Sequence, residues 1–237
     1  MIYNEIDNFC KVRDENRYQF SNRIKFLIEL LNRLGIEYKV IRVPSEYYKK
    51  YFYNLYCFGS SNKYLSAHYD VANTNSDNAN DNSASVINCI AYKLKNPSIN
   101  LLILDGEEPG FMGAGSRCAS FYLKKYGKSV KWILNLELTG KGKDFFIDDH
   151  PTQLSTCIQQ NFEEVMITGT PFNDSFIFRG NGFESNVLTL FDKTEDGKID
   201  WRLLGTSHTP ADSLSTISTD DMRNFVDNIL DKIVKSC

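Results

Sequence analysis

The sequence predicts an α/β fold with three layers: a mainly parallel, mixed central sheet flanked by helices on both faces. Three observations predict it. From residue 63 onward, apolar runs that read as strands alternate with segments of helical period. Two of those runs, 99–104 and 130–136, are mainly apolar without polar alternation, as expected of strands covered on both faces. Polar residues with chemistry to offer (His68, Glu107, Glu108 and Glu137) stand at the carboxyl ends of predicted strands, where open α/β sheets form their sites.

The elements follow in order. Phe20, Ile24, Leu27, Ile28 and Leu31 recur at helical spacing before Gly35, which predicts an amphipathic helix over 16–34. Segments 37–43 and 51–59 read as strands paired antiparallel. A short strand over 63–67 leads into His68, and 82–94 is helical. The buried strand at 99–104 is followed by a helix over 113–126, then the buried strand at 130–136. A helix over 152–162 and a strand over 187–191 come next. The last helix spans 219–235, with Ser218 or Thr219 as N-cap and Asp220 and Asp221 in its first turn. Segment 73–82 is rich in Asn, Asp and Ser, but it holds Asp81 and reads as a site loop. There is no repeat, low-complexity tract or long linker, so residues 1–237 read as a single domain.

Composition narrows the function. The chain has 237 residues, 42% of them hydrophobic, enough for a large core. The net charge of −3 comes with no basic block, which argues against a nucleic-acid partner. The polar start, Met1 to Asp7, lacks the apolar stretch of a secretory signal, and no run approaches a membrane span. A cytoplasmic location is the expectation. The six cysteines include no Cys-x-x-Cys pair. They are expected to be free thiols in a reducing compartment, with Cys57, Cys89 and Cys157 as small core residues.

Five residues of metal-ligand type are strung along the chain: His68, Asp81, Glu108, Glu137 and His208. Each is expected to follow or end a strand. Singly, each has an ordinary reading. His68 could be a hydrogen-bonded core histidine, Asp81 a helix cap, Glu108 part of a solvated turn, Glu137 the partner of a lysine, and His208 a loop residue. Jointly they form a coordination set. Two imidazoles and three carboxylates suit two divalent cations, and the charges nearly cancel once a hydroxide is added. Glu107 is then a free carboxylate beside the metals, a candidate general base. Of the three histidines, only His150 falls outside these motifs, in a polar turn.

The motifs Ser66-Ala67-His68-Tyr69-Asp70, Asn80-Asp81-Asn82-Ser83, Asp105-Gly106-Glu107-Glu108, Asn135-Leu136-Glu137 and Ser207-His208-Thr209-Pro210-Ala211-Asp212 resemble, in order, those of the co-catalytic di-zinc aminopeptidases. That family includes the bacterial leucyl aminopeptidase and aminopeptidase Y type, and the glutaminyl cyclases. The resemblance runs from about His68 to Asp212 and implies a zinc-exopeptidase-like fold. By position it implies that Asp81 bridges two Zn2+ ions, with Co2+ or Mn2+ as alternatives. Glu108 and His208 would complete one site, and His68 and Glu137 the other. Glu107 would be the general base, and Asp70 the carboxylate that orients the His68 imidazole. A cis peptide after the bridging aspartate, here Asp81-Asn82, is also implied. Gly113-Ala114-Gly115-Ser116 matches the family's small-residue turn into a helix. The segment Asn173-Asp174-Ser175 through Gly182-Phe183-Glu184 departs from it, with Ser175 where histidine is common and Glu184 where proline is common. Both departures are expected on the substrate-side wall.

The implied activity is removal of N-terminal residues from peptides or small amides by a metal-activated water. Two other readings stay open. One is a glutaminyl-peptide cyclotransferase with a single zinc, whose pockets are Trp-rich; only Trp132 and Trp201 are present here. The other is a metal-free binding module on the same fold. Neither substrate side chain nor oligomeric state is legible.

Overall fold

The computed structural model describes residues 2–12, 21–43, 52–72, 76–108 and 110–237. Helix α1 (Glu5–Lys11) precedes α2 (Asn22–Arg33), which buries Ile24, Leu27, Leu30 and Leu31 along one stripe. The Ser21 side chain accepts from the Arg23 amide and caps α2. Of the helix expected over 16–34, residues 16–20 lie outside the described residues, as do residue 51 of the expected strand and 73–75 of the expected loop. Strands β1 (Lys39–Val43) and β2 (Phe52–Cys57) pair antiparallel, as expected. Strand β3 (Lys63–His68) leads to a wide turn at Ala79–Ser83 and then α3 (Ala84–Lys95). The Asp81-Asn82 peptide bond inside that turn is cis.

Strand β4 (Asn100–Leu104), helix α4 (Ala114–Lys125) and strand β5 (Trp132–Leu136) follow. Next come β6 (Asp144–Asp148), α5 (Gln153–Asn161), β7 (Met166–Thr168), α6 (Asp174–Gly180) and β8 (Ser185–Phe191). After the short α7 (Trp201–Leu204), the C-terminal helix runs through α8 (Thr219–Asn224), a wider turn at Phe225–Leu230, and α9 (Asp231–Ser236). Ser218 caps it, with its side chain accepting from the Asp221 amide.

The eight strands form one sheet in the order β1-β2-β4-β3-β5-β8-β6-β7. Its centre, β4-β3-β5-β8, is parallel throughout. Antiparallel pairing appears toward the edges. Alternate residues point to opposite faces. Leu65, Ala67, Leu101, Ile103 and Leu134 meet the apolar stripes of α1, α2, α3 and the C-terminal helix. Tyr64, Leu102, Leu104 and Ile133 meet Ala119 and Leu123 of α4 and Phe178 of α6. The three expected layers are therefore present. β3 lies between β4 and β5. The chain leaves β3 to one side and then returns to the other, so the end of β3 is the topological switch point.

Four expectations need correction. Asp81 does not follow a strand; it sits in the turn before α3. His208 does not either; it lies in a loop after α7, with φ +63. Asp148 and Thr168 end two strands, β6 and β7, that the sequence did not predict. Finally, Cys157 and Cys237 are not free thiols but form a disulfide, with Cα atoms 5.8 Å apart. Cys157 on α5 is brought against the end of α9 by packing between those helices. Cys10, Cys57, Cys89 and Cys118 are not in disulfides. Among the described residues, no helix is long and apolar enough to cross a membrane.

Candidate metal centre

Three strand ends converge at the switch point. His68 is the last residue of β3, Glu107 and Glu108 follow β4, and Glu137 follows β5. The turn after β4 is tight: Gly106 has φ +77, and a Cβ there would lie 2.7 Å from the Phe52 ring. At Gly115, in the first turn of α4, a Cβ would lie 2.2 Å from the Asp105 carbonyl oxygen, so only glycine lets α4 approach this closely.

His68 Nε2 lies 3.4 Å from Asp81 Oδ1, 3.3 Å from Glu137 Oε2 and 3.9 Å from Glu107 Oε2. His208 Nε2 lies 3.3 Å from Asp81 Oδ2 and 3.1 Å from Glu108 Oε2. One Asp81 oxygen thus faces each histidine. The structure brings all five predicted ligands, and Glu107, into one cluster. His150 is exposed and apart from it.

Neighbouring groups fix the cluster. The Asp70 carboxylate lies 3.4 Å from His68 Nδ1 and also accepts from the Glu107 and Glu108 amides, at 3.2 Å each. Asp70 therefore orients an imidazole and also holds the Glu107-Glu108 backbone. The Glu137 carboxylate accepts from Asn135 Nδ2 at 2.9 Å and from Asn82 Nδ2 at 2.7 Å. Asn82 also bonds the backbone on both sides of Glu137, at the Leu136 carbonyl and the Leu138 amide.

Burial and close packing shift the proton affinities of the clustered carboxylates and imidazoles. Burial pushes the Glu108 carboxyl up to about 7; the His208 imidazole opposes this, and repulsion from Asp81 adds to it. Burial also raises Glu107 well above the usual carboxylate range, with Glu137, Asp174 and Glu108 adding repulsion against the pull of His68. Burial alone would lower His68, but the Glu137, Asp70 and Asp81 carboxylates outweigh it and raise the imidazole well above its usual value. The hydrogen bond to Glu108 raises His208 against a smaller opposing effect of burial.

The donor set fits a divalent cation. Glu108 Oε1 is buried without a hydrogen-bond donor, and Oε2 meets the half-exposed His208 imidazole at 3.1 Å, although a carboxylate buried in this way is costly. Tetrahedral ligands at 2.0–2.1 Å from a metal lie roughly 3.3 Å from one another, close to the imidazole–carboxylate separations above. Among the described residues, His68, Asp81 and Glu108 are the group in which each offers a ligand atom within 4.8 Å of the others. That trio spans both halves of the cluster, because Asp81 faces each.

The structure adds a residue that has no role assigned from the sequence. Asp174, the first residue of α6, is fully buried, and neither of its oxygens takes a well-formed hydrogen bond. Burial pushes it up to about 7, with His68 and the nearby Ser116 hydroxyl opposing and Glu137 and Asp70 adding repulsion. Asn135 was foreseeable, since it shares a strand face with Glu137 two residues on. Asn82 and Asp174 reach the cluster only through tertiary packing.

A cavity of about 670 Å³ opens from the cluster. Leu138, Phe146, Phe172, Val187, Trp201 and Leu204 line it, with His68, Asp81, Glu107, Glu137 and His208 along one side. Ser175 and Glu184 do not line it, contrary to expectation. Ser175 Oγ instead donates to Asn173, which is part of the wall, and Glu184 accepts from the Gln153 amide at the start of α5. Trp132 is buried in β5, away from the cavity.

The fold is shared with solved structures at low identity. A Zn-dependent exopeptidase from Parabacteroides distasonis is 14% identical with a TM-score of 0.73, covering 98% of this chain and 96% of that one. A glutaminyl cyclase from an Acidobacteriales bacterium is 17% identical with a TM-score of 0.71, covering 99% and 92%. The LapA aminopeptidase of Legionella pneumophila is 13% identical with a TM-score of 0.70, covering 99% of this chain and 68% of that one. A search of curated proteins gives no match. The family model for peptidase family M28 matches residues 59–233, most of the chain and every motif of the cluster. The chain therefore belongs to peptidase family M28, and is a hydrolase of the metal-dependent peptidase type.

Proposed function

We propose that this protein is a zinc-dependent aminopeptidase that hydrolyses the N-terminal bond of peptides or small amides, and that residues 1–237 act as one catalytic domain without a lid. The observation that carries this reading is Asp81, whose two oxygens face two histidines on opposite sides. That arrangement supports a carboxylate shared by two cations. His68 and Glu137 would hold one ion, Glu108 and His208 the other. Bound zinc would supply Lewis acidity, polarising the scissile carbonyl and lowering the pKa of water to roughly 7.

The remaining steps fall to side chains. Glu107 Oε2, 3.9 Å from His68 Nε2, accepts the proton of the attacking water and returns it to the leaving amine. Asp70 keeps His68 Nδ1 engaged, so that Nε2 presents its lone pair to the centre. The apolar cavity takes up the side chain of the substrate's first residue, and the carboxylates along its rim attract the free α-amine.

One observation keeps a second reading in play. Trp201 lines the cavity, and a glutaminyl cyclase with a single zinc would use an aromatic wall of this kind. Metal content and turnover separate the readings. Two metals per chain, with release of the first residue from aminoacyl fluorogenic substrates, fit the aminopeptidase. One metal, with ring closure of a glutaminyl peptide, fits the cyclase. No metal and no turnover would leave a binding module and end the proposal.

A further inference from the structure

The geometry points to Asp212 as the positioning residue for the bridging carboxylate, an inference that rests on the two-cation reading above. Asp212 is 1% exposed and lies four residues after His208. Its Oδ1 accepts from the Asn80 amide at 2.9 Å and its Oδ2 from the Asp81 amide at 3.0 Å. Thr216 Oγ1 donates to the same Oδ1 at 2.9 Å. One carboxylate therefore grips two consecutive amides, the second belonging to Asp81 itself.

Other bonds run between the same two segments. Ser76 Oγ donates to the Asp212 carbonyl at 2.5 Å, and the Leu214 amide donates to Asp77 Oδ2 at 3.2 Å. The His208 turn is itself closed, with the Asp212 amide bonded to the Thr209 carbonyl at 3.1 Å. A single short segment thus presents an imidazole to one half of the centre and fixes the backbone of the residue facing both halves.

The consequence differs from that of losing a ligand. His208 faces only Glu108 and Asp81, so its loss disturbs one half directly. Asp212 acts through Asp81, so loosening it weakens both halves together. In Asp212→Asn the amide can still accept on one side, but its NH2 group then meets an N–H donor on the other. The pair of backbone bonds cannot be kept.

The test measures zinc affinity by chelator competition, at a temperature where each variant is folded by circular dichroism. In Asp212→Asn both zinc affinities are expected to fall at least tenfold, while Thr216→Val, which removes the hydroxyl bonds to Asp212 and to the Ser213 carbonyl but leaves both backbone bonds to Asp212, stays within threefold of wild type. Retention of both affinities within twofold in Asp212→Asn would overturn the inference, as would an equal loss in Thr216→Val. Wild-type protein that binds no divalent cation would sink the two-cation reading, and this inference with it. Should Asp212→Asn not fold, hydrogen exchange on metal-free wild type decides. The Asn80 and Asp81 amides are expected to exchange at least a hundredfold more slowly than in an unstructured chain, and exchange at unstructured rates would refute the clamp.

Discussion

Metal-free protein should lose stability as pH rises from 5 to 8, and zinc should restore it most at the upper end. Glu108 gives the magnitude. Its carboxyl moves from an ordinary 4.5 to about 7 because it is buried beside Asp81. Each pH unit of such a shift is worth about 1.36 kcal/mol, so ionising Glu108 in the folded chain costs about 3 kcal/mol. Between those two values the folded state binds more protons than the unfolded one, and stability falls as pH rises. Glu107 and Asp174 are raised for the same reason and act in the same direction. The raised imidazoles of His68 and His208 also agree in sign, since the stability of their charged forms is lost as pH climbs through their folded pKa. Asp196, Asp200 and Asp231, held low by neighbouring cations and hydrogen bonds, lose stability only in acid, below this window. For a chain of this length, about 3 kcal/mol corresponds to roughly 6–12 °C in Tm. The assay is thermal unfolding of chelator-treated protein across the window, with and without saturating zinc. Because ligands must be deprotonated to bind a metal, the gain from zinc should grow with pH. A chelated Tm that stays level or rises from pH 5 to 8, or a zinc gain that shrinks, would refute the reasoning.

Three further outcomes are expected. Glu107→Gln should keep its metals but lose about 10²–10⁴ in kcat, measured alongside metal content, with near-normal turnover removing Glu107 from the role of base. Asp81→Ala should lose both cations together in elemental analysis, and loss of only one would show that this carboxylate is not shared. Cys157→Ser should lower stability in urea titrations by about 4 kcal/mol, since the bond closes a loop with a sequence separation of 80. Alkylation of unfolded, unreduced wild type should label four cysteines, and labelling of all six would argue against the disulfide.

The parts of the fold that were legible in the sequence were those with strong local patterns. Mainly apolar runs marked β4 and β5, and helical periodicity marked α2 and the C-terminal helix. His68, Glu108 and Glu137 were legible because the polar residue ending a buried strand is placed by that strand. β6 escaped because its apolar centre, Phe145 to Ile147, is only three residues long, and β7 spans just Met166–Thr168. The disulfide escaped because its partners meet only after α5 docks on the C-terminal helix. Asp81 and His208 were recognised as types, but their settings were misread. Each sits in an irregular turn, fixed by tertiary bonds such as those from Asp212 to the Asn80 and Asp81 amides. Asp174 shows the remaining gap: composition and spacing cannot tell that a carboxylate at a helix start will be wholly enclosed.

The two histidines differ in their access to water. The His68 side chain is 2% exposed, whereas that of His208 is 49% exposed. On the two-cation reading, traffic of ions through the centre would be lopsided. An ion on the His208 side would leave directly to solvent, while one beside the buried His68 would have to pass out through the cavity. Brief dialysis against a foreign cation would then replace the outer partner first and yield a mixed pair before a uniform one.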